Sequence, residues 1–168
     1  MIEIRWHARA GQGAKSASQL LAMAQLRGGR YVQAFPEYGP ERGGAPLRTF
    51  NRVDDRPIRR RYGIQEPDVV VVLEPSLIGE VDVTAGLKPD GLLLVNGSVP
   101  EGYAGRTVAI EASALADPRS VNLVMLGALA AQLGEPSLDD LRAATRELFG
   151  KKLGGADAQE AALEAGYA

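Results

Sequence analysis

Gly11-Gln12-Gly13 stands between a β-rich run and an amphipathic stretch. A strand that feeds a helix through such a turn leaves backbone N–H groups free at the positive end of the helix, where phosphate or carboxylate oxygens bind. Two familiar nucleotide fingerprints fail on this loop. A dinucleotide-binding turn needs a third glycine where Ser16 stands, and no acidic residue closes the second strand at the usual place. A Walker A loop would use Lys15-Ser16 as its lysine and hydroxyl, with Leu73-Glu74 as a Walker B counterpart, yet Arg9 and Ala14 occupy the positions of its two defining glycines. The loop therefore reads either as a general oxyanion cradle or as a tight turn without a ligand.

A second candidate is the segment from Phe35 to Pro46, which displays Glu37, Tyr38, Gly39, Glu41 and Arg42 between rigid prolines and further glycines. A stiff loop loses little entropy on binding, which suits it to recognition, and Arg42 could grip a carboxylate or phosphate with two hydrogen bonds. Glu74, Asn96 and Ser98 follow the carboxyl ends of predicted strands, the edge where open α/β sheets bind ligands. Taken singly they are ordinary caps and turn formers. His7 lies near the same edge and reads as a packed residue. Arg59-Arg60-Arg61, with Arg56 nearby, reads as a solvated or interface patch, since no aromatic interleaving accompanies it.

Composition narrows the chemistry further. The chain has 168 residues, no cysteine, one histidine and a net charge of −2. It therefore offers no thiol nucleophile, disulfide or thiolate ligand, and no metal site or catalytic residue is predicted. The acidic balance argues against nucleic-acid binding. No apolar run approaches the roughly 20 residues of a membrane span, so no membrane is expected and the protein reads as cytoplasmic.

The elements that must position these residues follow from periodicity. Ile2 to Trp6 alternates as a strand, and Ala17, Leu20, Leu21, Ala24 and Gly28 share one helical face that Gly28-Gly29 ends. Tyr31 to Phe35 and Leu47 to Val53 read as strands, the latter half exposed. Val69 to Leu73, Leu92 to Val95 and Thr107 to Ile110 read as strands buried on both faces. Short, weakly helical pieces, Ser76 to Val81 and Ala112 to Ala116, lie between them. Val121 to Leu133 is apolar nearly all round, so it must lie between the sheet and a terminal helix or under a partner subunit. Ser137 is an N-cap for a helix striped by Leu138, Leu141, Thr145 and Leu148. The predicted fold is α/β, one domain over residues 1–168: a Rossmann-like three-layer sandwich with a mainly parallel sheet and a helical C-terminal part.

Five ordered blocks then carry a family likeness: RWHARAGQGAKSA, YVQAFPEYGPERGGAPLRTFNRV, PDVVVVLEPSL, DVTAGLKPDGLLLVN and VNLVMLGALAA. From about Ile4 to Lys152 the chain resembles the γ subunit, or γ domain, of 2-oxoacid:ferredoxin oxidoreductases of the pyruvate type. The resemblance implies an enzyme that oxidatively decarboxylates a 2-oxoacid to an acyl-CoA and passes electrons to ferredoxin. It implies that thiamine diphosphate, Mg and iron–sulfur clusters reside on α, β and δ-type partner subunits, with no cofactor bound by this chain alone. Gly11, Gln12, Gly13 and Asn96 would then form a cofactor-binding edge beside coenzyme A, and Glu37, Tyr38, Gly39 and Arg42 a substrate-side or interface loop. Ala8 and Ala10 depart from the glycines usual in that family, and Ser16 from a common threonine. A stand-alone nucleotide- or CoA-binding α/β module without redox activity is the alternative.

Overall fold

The computed structural model describes residues 1–37, 43–152 and 155–168. Strand β1 (Ile2–Arg9) extends the predicted run by three residues, because alternate side chains find two different environments. Ile4, Trp6 and Ala8 enter the main apolar core, while Glu3, Arg5 and His7 are buried on the opposite face. The glycine loop follows, then α1 (Ala14–Arg27). Its end is a Schellman motif around left-handed Gly29, in which the Gly29 and Arg30 N–H groups donate to Leu26 and Gln25.

Next come β2 (Tyr31–Pro36), β3 (Pro46–Asp54), β4 (Val69–Val72), β5 (Leu92–Asn96) and β6 (Arg106–Ile110). The strands form one sheet in the order β2-β3-β1-β4-β5-β6. β1, β4, β5 and β6 run parallel, whereas β3 is antiparallel to both its neighbours. The sheet is thus mixed, because β2 and β3 pair directly as a hairpin with no crossover helix between them. β3 is not half exposed as its alternation predicts. Thr49 to Val53 are all buried, since α1 packs on one face and the residues after β3 fold over the other. β6 is the opposite departure, an edge strand that is only half buried.

The helical layer lies on one face of the sheet: α1, α2 (Ala112–Leu115), α3 (Val121–Leu133), α4 (Leu138–Phe149) and α5 (Asp157–Tyr167). Ser137 caps α4 as its sequence predicts, accepting from the Asp140 N–H at 3.1 Å. The layer on the other face differs from the predicted sandwich, because among the described residues it contains no α-helix. A 3₁₀ turn at Pro75–Leu77 and the chain around Val83 and Tyr103 close over Val70, Val72, Leu93 and Val95 instead.

The apolar α3 is covered from within the chain. α5, which its sequence alone does not announce, lies along it with Leu163 fully buried. Two glycines permit the approach: a methyl group added to Gly127 would strike the Leu163 carbonyl oxygen, and one on Gly166 would strike that of Val124. No partner subunit is needed to bury this helix.

Candidate functional site

Because four strands run parallel, the segments leaving their carboxyl ends meet at one edge of the sheet. The loop Ala10–Gly13 leaves β1, Leu73-Glu74 leaves β4, and Gly97-Ser98 leaves β5. Gly11 and Gly13 have φ of +90° and +80°, a left-handed backbone that only glycine adopts freely. Their surroundings differ. A side chain at Gly13 would meet Asn122 Nδ2 at 2.5 Å, whereas at Gly11 the space is open to 4 Å. Gly13 therefore serves packing, and Gly11 leaves room for a ligand to reach the backbone.

No side chain caps α1, and its first turn carries no acidic residue. Its leading N–H groups have no partner within the helix and lie beside exposed Lys15. That is an electropositive, hydrogen-bond-donating corner fit for an oxyanion.

Gln12 does not project freely. Its Oε1 accepts from the Arg9 N–H at 2.6 Å, and its Nε2 donates to Glu74 Oε2 at 2.5 Å. Glu74 also accepts from the Ser76 N–H at 3.0 Å. Burial would raise the pKa of Glu74, but these hydrogen bonds and the Arg9 charge outweigh it and hold the carboxylate below its ordinary range. Glu74 thus stays ionised as an anchor for the loop. Asn96 is buried, its Nδ2 donating to the Leu73 carbonyl at 3.0 Å and to Ser113 Oγ at 3.2 Å, which ties β4, β5 and α2 together at the same edge. Ser98 is exposed and takes no part in these bonds.

Arg9 and Asn122 are the residues that sequence reasoning missed. The Arg9 guanidinium donates to Ser76 Oγ at 3.0 Å, to Glu80 at 2.6 Å and to the Gly44 carbonyl at 3.1 Å, so it joins three segments around the loop. Asn122 Nδ2 donates to the Gly13 carbonyl at 3.0 Å. Its signal was available in the sequence as the strongly polar residue in the first turn of a helix that is apolar from Leu123 to Ala131.

Glu37 pairs side-on with Arg48 through two hydrogen bonds, fixing where the chain leaves β2. Tyr38, Gly39, Glu41 and Arg42 lie outside the described residues. His7 is buried and accepts from Arg5 Nε at 3.0 Å. Burial first, and then the Arg5 and Arg48 charges, push its pKa down to about 3, so it is neutral at physiological pH. Ala10 needs no special backbone: no non-glycine residue among those described has positive φ. No helix among the described residues is long and apolar enough to cross a membrane.

Fold and edge together define an α/β domain with a hydrogen-bond-donating corner braced by side-chain hydrogen bonds, without a group of acidic or histidine side chains able to hold a metal ion among the described residues. The profile of the family described as pyruvate ferredoxin/flavodoxin oxidoreductase matches residues 3–168. Pyruvate synthase subunit PorC of Thermotoga maritima is 46% identical, covering 99% of this chain and 93% of its own. The pyruvate/ketoisovalerate oxidoreductases common subunit gamma of Thermococcus kodakarensis is 43% identical over 96% of this chain and 94% of its own. The crystal structure of the Thermotoga maritima subunit superposes with a TM-score of 0.83, covering 99% of this chain and 94% of that one at 40% identity. The chain belongs to the pyruvate ferredoxin/flavodoxin oxidoreductase family. The reading of a stand-alone binding module finds no support among these relatives, which are named as subunits.

Proposed function

We propose that this chain is the γ subunit of a pyruvate:ferredoxin oxidoreductase and that its own task is to present one wall of the coenzyme A site. The observation that carries this reading is the uncapped start of α1 beside open, left-handed Gly11, at the sheet edge where α/β folds bind ligands. In the assembled enzyme, thiamine diphosphate with Mg and the iron–sulfur clusters supply decarboxylation and electron transfer to ferredoxin. With no cysteine, this chain supplies no thiolate to a cluster. α, β and δ-type partners would carry those groups.

What remains for the chain is binding and orientation. The first-turn N–H groups of α1 and Lys15 would hold phosphate oxygens. Gln12, Glu74, Arg9 and Asn122 keep the loop in place, and Asn96 ties the strands beneath it. Tyr38, Gly39, Glu37 and Arg42 would complete the wall or the contact with a partner. One relative is named a subunit common to pyruvate and ketoisovalerate enzymes. A subunit shared in that way cannot select between 2-oxoacids, so selection of the oxoacid falls to other chains and this one serves a feature both reactions share, the acyl acceptor.

The test is Gly11→Ala in the chain co-expressed with the other subunits. The side chain would occupy open space and impose strain of about 1–3 kcal/mol at a position of positive φ. The KM for coenzyme A should rise about tenfold or more while the KM for pyruvate and subunit stoichiometry hold. An unchanged coenzyme A KM would refute the site, and turnover by the purified chain alone would refute the subunit role.

A further inference from the structure

Most described arginines elsewhere in this chain sit on carboxylates, as Arg9 does on Glu80, Arg142 on Glu164 and Arg146 on Glu160; Arg5 and Arg106 do not. The residues after β3 break that pattern. Arg56, Arg59 and Arg61 are exposed and form no ion pair among the described residues. Asp54 and Asp55 are the neighbouring carboxylates, and Asp54 faces the Arg56 N–H and the N-terminal amine rather than a guanidinium, in a chain whose net charge is −2. Three exposed guanidiniums without a carboxylate among the described residues are thus gathered in one short stretch.

That stretch is held in place. Arg60 bonds Glu3 at 2.9 Å through its guanidinium and accepts from Gln33 Nε2 at 2.8 Å through its carbonyl. The Tyr62 carbonyl accepts from buried Arg52 at 2.5 Å, and the Tyr62 ring, 63% exposed, lies 5.3 Å from the Arg52 guanidinium carbon. A surface fixed this way loses little entropy when it binds.

Beside it runs an open groove of about 610 Å³ whose lining includes Phe35, Pro36, Phe50, Arg61 and Glu37, the last paired with Arg48. The groove borders β2, an edge strand bonded on one side only. Edge strands are normally guarded by charged side chains. YVQAFP carries none, its one guard of another kind is Pro36 at the very end, and Tyr31 is 46% exposed.

We propose that the open edge of β2, with Arg56, Arg59, Arg61 and Tyr62 beside it, is the docking surface for an extended acidic segment of a partner subunit. This rests on the γ-subunit reading above. A strand added to β2 would take up its free main-chain groups, and alternate side chains would reach the aromatic groove. Carboxylates on the segment would meet guanidiniums that have no carboxylate partner among the described residues, in paired hydrogen bonds lysine cannot reproduce. A second copy of this chain fits less well, because it brings the same positive charges to the contact.

The experiment uses the full chain co-expressed with the other subunits of its complex. Arg59→Glu with Arg61→Glu should reduce subunit retention on the order of tenfold near physiological salt, and wild-type retention should fall steeply as salt rises. Lys151→Glu with Lys152→Glu makes the same charge change at the end of α4 and should leave retention intact. Thermal melting of the isolated variants checks that both pairs fold. A photo-reactive residue at Tyr31 should cross-link to a partner segment rich in Asp and Glu. Wild-type retention by the Arg59/Arg61 variant, equal loss from both pairs, or cross-linking to a second copy of this chain would each overturn the proposal. If the wild-type chain itself joins no subunits, the γ-subunit reading fails and takes this proposal with it.

Discussion

Gly127→Ala tests whether the chain buries its own apolar helix. Gly127 sits mid-way along α3, and a methyl group there would strike the Leu163 carbonyl oxygen and lie 2.9 Å from the Tyr167 nitrogen. Both obstacles are backbone atoms of α5, so no side-chain rotation relieves them. Forcing an extra methyl group into a packed interface costs typically about 1–3 kcal/mol. Helix propensity acts the other way, since alanine is better than glycine in a helix interior by about 1 kcal/mol. Because the clash is with backbone, the upper part of the packing range applies and a net loss of roughly 2 kcal/mol is expected, or about 4–8 °C in Tm for a chain of this size. Thermal unfolding of the isolated chain followed by circular dichroism reads the shift, and hydrogen exchange should accelerate first in α5. A Tm that rises, as propensity alone would give, would refute the packing argument. α3 would then need a different cover, and a partner subunit would be the candidate.

His7 makes a pH prediction with a definite sign. Its pKa is pushed down to about 3 in the folded chain, against about 6.5 when unfolded. The unfolded state therefore binds more protons between those values, and stability falls as pH is lowered through 6.5 toward 3, by about 1.4 kcal/mol per pH unit from this group. His7→Gln should flatten that limb of a urea-denaturation series relative to wild type. The chain's single imidazole should show no titration by proton NMR between about pH 8 and 5, and a midpoint near 6.5 would contradict its burial. Gly13→Ala should lower stability by about 1–3 kcal/mol, because φ is +80° and Asn122 Nδ2 would stand 2.5 Å from the new carbon. Asn122→Ala added to it should relieve the clash and leave the backbone strain, so the double variant recovers part of the loss; full recovery or none would contradict this division.

Local patterning carried much of this protein on its own. Period-two alternation marked β1, β-branched and leucine runs marked β4 and β5, and Ser137 with Asp140 marked the start of α4, because each depends on neighbours within a few residues. The family likeness was equally legible, since ordered blocks such as FPEYGPER and the GQG turn are strings of residues. The tertiary structure decided what depends on distant partners. β3 alternates like an exposed strand, yet is buried on both faces because Arg52 finds Glu3, Gln33 and the Tyr62 carbonyl from three other segments. Gln12, the polar centre of the glycine turn, is fixed by Glu74 from sixty-two residues away, which no spacing rule reveals. The same holds for Arg59 and Arg61: a basic run is a string of letters, but its lack of carboxylate partners among the described residues and its place beside a strand edge without charged side chains are properties of the folded chain. Periodicity reports which face a residue turns inward, and only the packed fold determines what waits there.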